Sequence, residues 1–292
     1  MSFQKGCLSL LAAVSRIEDE LEQHTTTCEN MNMRRTPGIK TAIVTGATSG
    51  IGRATALMLA RLGYNVVITG RRLPLLQDLC KEIEKTSGVE SYILCFDIRD
   101  KHEVFDSYDM LPESWKKHLM VCVNNAGLAL GADSFENCDD NDWDVMIDTN
   151  IKGLLYMSQL VANTMKSNGF GHIVNISSVA GKHVYYGGNV YCATKHAVDA
   201  ITQGMRIDLL KYGIKVSSVS PGMVNTEFSL VRYKGDKTRA DSVYDGVKPL
   251  SAQDIASAIE FIITRPSHVC INDMLIMPTQ QAMPYYVNRN EE

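Results

Sequence analysis

From Thr41 onward the chain alternates short apolar runs with longer segments of mixed polarity. The runs are TAIVT, NVVIT, SYILCF, LMVCV, HIVNI, KVSSVS and, last, HVCINDMLIM. They lack the polar alternation of a half-exposed strand, so they predict strands covered on both faces, and the stretches between them are long enough for crossover helices. That order predicts an α/β fold: a doubly wound parallel sheet of about seven strands with helices on both faces. No internal repeat, low-complexity tract or linker interrupts residues 41–280, which predicts one domain over 39–292. Loops beyond the carboxyl ends of the strands are where such a sheet binds ligands. The least regular stretch, 222–249, is polar, follows a strand and is a candidate lid or substrate loop.

Before Thr41 the pattern differs. CLSLLAAV after Lys5 imitates a signal-peptide core, but Arg16 and the acidic EDELE follow it, and acidic residues also argue against a mitochondrial presequence. Residues 1–38 therefore read as an N-terminal extension, flexible or a short helix, with Met31 and Met33 as alternative start sites.

The first run leads into TGATSGIG and then a helical pattern. Gly46, Gly50 and Gly52 permit a tight turn and close approach of a pyrophosphate to backbone N–H groups at a helix N-terminus, with Thr48, Ser49 and Ile51 in the same turn. A strand before it and a helix after it make this a Rossmann dinucleotide site rather than a structural turn. Cofactor choice is set at the end of the second strand, where an acid favours a free ribose and a base a 2′-phosphate. Arg71 and Arg72 stand there, which predicts NADP(H), the alternative being a solvated basic helix start. Asp97, with Ile98 beside it, is either a ligand for the adenine amino group or the N-cap of the next helix.

Tyr191 and Lys195 sit four residues apart in YCATK, on one face of a predicted helix spanning GGNVYCATKHAVDAITQGMRIDLLKYG. Ser178 follows the fifth strand in NISSVAG, and a serine there is ordinarily a turn former. Together with NNAG at 124–127, Asn150 in DTNIKG and SPGMVNT from 220, these motifs resemble the short-chain dehydrogenase/reductase family over about residues 40–280. The resemblance implies that Tyr191 is the general acid/base, Lys195 the cation that supports its phenolate and binds the nicotinamide ribose, Ser178 a substrate ligand, and Asn150 the holder of a relay water. It further implies that Asn124, Asn125 and Ala126 form a cofactor-side turn, with the asparagines stabilising the sheet and contacting the adenosine half. Pro221, Gly222, Val224 and Thr226 would contact the carboxamide and pyrophosphate.

NNAGLALG, TEFSLVRYKGD and HVCINDMLIMPTQQA are similar to the NADP-dependent 3-hydroxy acid dehydrogenase branch, whose substrates are serine, allo-threonine and related small acids. Such a substrate needs a cation, for which Arg232, Lys234 and Lys182 are candidates, Arg232 first. The alternatives are an NADPH-dependent ketone, diketone or quinone reductase and a non-catalytic NADP(H) sensor. The family also implies a homotetramer.

Overall composition removes other classes. With 45% apolar residues, 21% charged residues and a net charge of −4, no basic stretch longer than a pair occurs, so no nucleic-acid partner is expected. No apolar run approaches membrane-spanning length. The eight cysteines have no metal-knuckle spacing and read as reduced thiols of a cytoplasmic protein, and no metal is expected. Asn175-Ile-Ser177 fits a glycosylation acceptor but lies in an apolar run and reads as a buried strand end.

Overall fold

The computed structural model describes residues 40–290. The extension expected over 1–38, with Cys7, Cys28 and the alternative start sites, lies outside the described residues.

All seven apolar runs become strands. They are β1 (Thr41–Val44), β2 (Asn65–Gly70), β3 (Ser91–Cys95), β4 (Leu119–Asn124), β5 (Gly171–Ile176), β6 (Ile214–Pro221) and β7 (Asp273–Ile276). The order β3-β2-β1-β4-β5-β6-β7 is parallel throughout. The chain leaves β1 toward one edge and returns to β4 on its other side, so the loops after β1 and β4 diverge and open a crevice. The longer helices are α1 (Gly50–Arg61), α2 (Leu73–Ser87), α3 (Lys101–Asp109), α4 (Leu154–Asn168), α5 (Asn189–Leu209) and α6 (Ala252–Ile263).

Alternate residues of one strand serve the two faces, which is why the runs show no polar alternation. Ala42 and Val44 of β1 pack with α1, α2 and α6 through Leu59, Leu79 and Ile259. Ile43, between them, packs with α3 and α4 through Val104, Met157 and Val161. Both layers are fully buried at these positions, each large side chain contributing about 1.5–3 kcal/mol of apolar burial.

Two features were not expected from the pattern. The stretch 222–249 contains short helices at Phe228–Arg232 and Lys237–Ser242, the second capped by Asp236, whose side chain accepts from the Arg239 N–H. Near the C-terminus, Gln281–Met283 and Tyr286–Val287 form an antiparallel hairpin against residues 243–248, where Arg289 donates to the carbonyls of Asp245 and Val243. Among the described residues no helix is long and apolar enough to cross a membrane, and no disulfide joins the described cysteines.

His172 on β5 carries a stability prediction. Its ring is buried, Nε2 lies 2.8 Å from Ser217 Oγ, and Nδ1 has no partner. Burial, helped by the charge of Lys215, holds the ring down to about 3. The folded protein thus keeps His172 neutral at pH values where the unfolded chain, titrating near ~6.5, is protonated. The unfolded state binds more protons, so stability falls as pH drops from about 6.5 toward 3. His172 alone is expected to remove about 2 kcal/mol between pH 6.5 and 5. Urea unfolding at several pH values checks this, with His172→Gln giving the shallower acid slope.

Candidate active site

The turn after β1 is clamped to the loop after β4. Thr45 Oγ1 accepts from the N–H groups of Asn125 and Ala126 at 3.0 Å each, and Asn125 Nδ2 donates to the carbonyls of Thr45 and Gly46 at 2.9 and 3.1 Å. Gly46 and Gly50 take φ of +65° and +52°, the left-handed region that glycine adopts freely. At Gly52 a Cβ would lie 2.3 Å from the Gly46 carbonyl oxygen and 2.4 Å from Asn125 Nδ2, so α1 can begin this close to the turn only with glycine. Gly46, Thr48, Ser49, Gly50 and Ile51 line a cavity of about 560 Å³ that runs along the crevice. Gly52 lies behind the turn and acts through this packing.

Beyond the turn the cavity is basic. Arg72 is held by Thr48 Oγ1 at 2.7 Å and Ser49 Oγ at 2.9 Å, and it reaches Glu227 across the cavity mouth at 2.9 Å. Arg71 Nη1 lies 3.4 Å from Asp97. Both arginines, Asp97 and Ile98 are lining residues. Asp97 is not a helix cap: Asp100 caps α3, and Asp97 takes a bidentate bond from Arg99. Partial burial works to raise the Asp97 carboxyl, but the Arg99 bonds and the Arg71 charge prevail and hold it at about 2.

Asn124 is placed differently from Asn125. Its amide donates to Ser158 Oγ and Asn175 Oδ1, both at 2.9 Å, within the buried β4–β5 layer. It faces away from the cavity, so of its two expected roles the structure retains the sheet contact and removes the adenosine contact. Asn175 is fully buried and donates to Thr202, in keeping with the discounted glycosylation pattern.

The loops after β5 and β6 and the start of α5 close the other end. Ser178, Tyr191, Lys195, Pro221, Gly222, Val224, Thr226 and Arg232 all line the cavity there. Ser178 Oγ accepts from the Ala180 N–H at 3.1 Å, capping the short turn Val179–Gly181, and lines the cavity with Tyr191. It is a turn former and a site residue at once. Phe228 packs on the Tyr191 ring, centroids 5.6 Å apart. Lys195 Nζ donates to the Ile176 carbonyl at 2.9 Å and lies 6.0 Å from the Tyr191 ring centre.

Electrostatics at this end oppose ionisation. Burial, with Tyr185 adding to it, pushes the Tyr191 hydroxyl well above its ordinary range, while the Ser178 hydroxyl and the Arg232 charge work the other way. Burial lowers Lys195 to about 8, and the Asp199 carboxylate opposes that shift. A base at Tyr191 therefore depends on nearby positive charge.

Asn150 occupies a π-helical stretch, Asp148–Gly153, between the helix Asp140–Ile147 and α4. Such a stretch rotates side chains off the regular helical phase. Here Asn150 Oδ1 accepts from the Leu128 N–H at 2.9 Å, while Nδ2 donates to the Leu128 carbonyl at 2.8 Å and to Thr194 Oγ1 at 3.0 Å. Gly127 leaves the gap beside it: a Cβ there would meet Asn150 Oδ1 at 3.2 Å and Lys195 Nζ at 3.4 Å. The Asn150 amide is thus engaged with protein and borders the lysine.

Of the three candidate cations only Arg232 joins Tyr191 in this cavity. Lys182 pairs with Asp199 and Asp273, and Lys234 pairs with Asp139 and Asp142. Arg232 donates to Gly131 O, Tyr185 Oη and Gly187 O at 2.9–3.0 Å. Tyr185, Phe228, Thr45 and Gly127 are site residues that sequence reasoning missed. A turn signal marks Gly127 in NNAG, but nothing in sequence distance ties Tyr185 to Arg232.

The glycine cradle, basic rim and polar far end fit a dinucleotide in an extended groove. Residues 40–236 match the family model described as short chain dehydrogenase. The chain is 43% identical over 241 residues to sulfoacetaldehyde reductase 2 of Chromohalobacter salexigens, covering 82% of this chain and 94% of that protein. It is 37% identical over 253 residues to the NADP-dependent 3-hydroxy acid dehydrogenase of Schizosaccharomyces pombe, covering 86% and 97%. The closed form of serine dehydrogenase complexed with NADP+ superposes with a TM-score of 0.79 at 38% identity, covering 86% of this chain and 100% of that one. Motifs, fold and relatives agree, and the chain belongs to the short-chain dehydrogenase family.

Proposed function

We propose that the protein is an NADP(H)-dependent oxidoreductase acting on the hydroxyl of a small 3-hydroxy acid of the serine, allo-threonine or 3-hydroxypropionate type. The observation that carries the substrate class is Arg232. Its guanidinium is partly buried in the cavity that Tyr191 also lines, and none of its hydrogen-bond partners among the described residues is a carboxylate. A partly buried cation without a counter-ion favours an anion beside it. Three of its five N–H groups are used, which leaves one on each terminal nitrogen for a substrate carboxylate.

When bound, the nicotinamide supplies or accepts a hydride. Gly46, Thr48, Ser49, Gly50 and Ile51 would hold the pyrophosphate, Arg71 and Arg72 the 2′-phosphate, and Lys195 the nicotinamide ribose. Ser178 donates to the substrate oxygen and fixes it beside Tyr191. Tyr191 takes the alcohol proton during oxidation and returns it to the carbonyl oxygen during reduction. The Lys195 ammonium stabilises the Tyr191 phenolate, which accepts the alcohol proton in oxidation and is left behind in reduction, and the gap at Gly127 beside Asn150 is where a water would carry the proton onward.

Relatives named for 3-hydroxy acids and for NADP support this reading. A second anion is favoured by the sulfoacetaldehyde reductase relative: a sulfonate presents the same oxygens to Arg232. Exposed Leu155 on α4, Ile207 on α5 and Leu210 just after it, with the edge of β7 that pairs with no other strand among the described residues, support a homotetramer. The free thiols of the six described cysteines support a cytoplasmic protein.

Arg232→Met is expected to raise KM for 3-hydroxypropionate about 10- to 100-fold, the effect of losing one or two hydrogen bonds to a charged partner. Arg232→Lys should recover part of it. Steady-state kinetics with this acid, beside a neutral alcohol of similar size, decides the matter. Equal losses for both would remove Arg232 from carboxylate recognition.

A further inference from the structure

One turn beyond Lys195 on α5, Asp199 carries a buried carboxylate whose surroundings no step above uses. Its Oδ2 lies 2.5 Å from Lys182 Nζ, and its Oδ1 is buried without a hydrogen-bond partner. A buried carboxylate oxygen without a protein hydrogen-bond partner is costly, and it keeps the negative charge of Asp199 poorly screened. Lys182 Nζ also lies 2.8 Å from Asp273 on β7, and Asp273 accepts from Ser218 Oγ at 2.6 Å.

Lys182 follows the turn that Ser178 caps, and this turn rests directly on the catalytic helix. A Cβ at Gly181 would fall 2.8 Å from the Lys195 carbonyl oxygen, and Ser177 Oγ donates to that same oxygen at 3.4 Å. Asp273, Lys182 and Asp199 therefore form a row of alternating charge from the sheet edge to the catalytic helix, where Asp199 stands one turn beyond Lys195. Residues at i and i+4 share a helix face, which places the Asp199 carboxylate next to the Lys195 stem.

We propose that Asp199, held by Lys182 and through it by Asp273 and Ser218, is a positioning residue that keeps Lys195 an ammonium inside a buried site. The charged and titratable groups about Lys195 are Tyr191 and Asp199 on its own helix, Lys182 from the turn and Asp273 from β7. Asn150 from the π-helical stretch and the Ile176 carbonyl from β5 border the Lys195 ammonium as uncharged groups. Burial favours the neutral amine, and the carboxylate opposes that preference. Without Asp199, the first proton lost from the Tyr191–Lys195 unit leaves more readily, and more of that loss comes from Lys195, which gives the inactive arrangement. The inference rests on the reading of Lys195 as the cation behind Tyr191.

The test follows Lys195 itself. Full-length protein carrying 13C-labelled lysine is titrated by NMR, with Lys195 assigned as the resonance lost in Lys195→Met. In Asp199→Asn the midpoint is expected to fall by about one pH unit, and in Lys182→Met, where Asp199 loses its competing cation, to rise. Asp199→Glu should restore the wild-type midpoint. The alkaline limb of kcat for 3-hydroxypropionate oxidation should move with it, at unchanged NADP+ affinity. If Asp199→Asn is too unstable to study, the double variant Asp199→Asn with Lys182→Met removes the pair together and should still lower the midpoint, by less than the single change. A purely structural Asp199 would lower Tm and leave the Lys195 midpoint in place, which overturns the proposal. An active Lys195→Met enzyme would instead overturn the catalytic reading on which it rests.

Discussion

Tyr191→Phe is expected to reduce turnover by about 10³-fold or more while NADP+ still binds, because it deletes one oxygen and leaves the packing with Phe228 and the wall of the cavity. The magnitude follows from what the hydroxyl does. Without it the alcohol proton has no acceptor in line with Ser178, and general acid–base catalysis supplies about 10²–10⁴ of a rate. The measurement is single-turnover reduction of NADP+ together with cofactor binding by fluorescence. A variant with turnover within tenfold of wild type would move the proton transfer to another group.

Replacing both Arg71 and Arg72 by Ala is expected to weaken NADP+ relative to NAD+ by about 10²-fold or more in kcat/KM, each charge-assisted contact being worth about 1.5–3 kcal/mol. Their surroundings set the sign. No carboxylate replaces them at the end of β2. Of the two acids on this rim, Asp97 is already paired with Arg99 and is not free to take ribose hydroxyls, and Glu227 pairs with Arg72 across the cavity mouth. Arg72 also ties Thr48 and Ser49 to Glu227, so Arg72→Ala alone should loosen the turn and raise the KM of both cofactors, whereas Arg71→Ala should act on NADP+ selectively. Equal losses for NADP+ and NAD+ in the double variant would show that the phosphate is read elsewhere.

Much of this site was legible because its signals are local. Gly46, Gly50 and Gly52 stand in one turn, Arg71 and Arg72 end one strand, and Tyr191 and Lys195 share one helix face. Each can be placed once the strand order is known, and buried parallel strands announce themselves by apolar runs. What escaped depends on contacts between distant segments. Arg232 could be named as a candidate, but only folding shows that Tyr185 and the carbonyls of Gly131 and Gly187 hold it beside Tyr191 while Lys182 and Lys234 are taken by aspartates. Asn124 and Asn125 look equivalent in NNAG, yet strand alternation sends one amide into the β4–β5 layer and the other to the glycine turn. The π-helical stretch at Asn150 has no composition of its own. The helices within 222–249 depend on a single cap at Asp236 and on packing, where propensity is weak.

The measurement that bears most directly on the central claim is the initial rate of NADP+ reduction by the wild-type enzyme with 3-hydroxypropionate, L-serine and L-allo-threonine, run beside NAD+ and a neutral secondary alcohol. Saturable turnover with at least one of these acids, with NADP+ strongly preferred and the neutral alcohol poor, is the predicted result. Turnover confined to neutral alcohols or to simple ketones with NADPH would contradict the assignment of a hydroxy acid to the Arg232 end of the cavity.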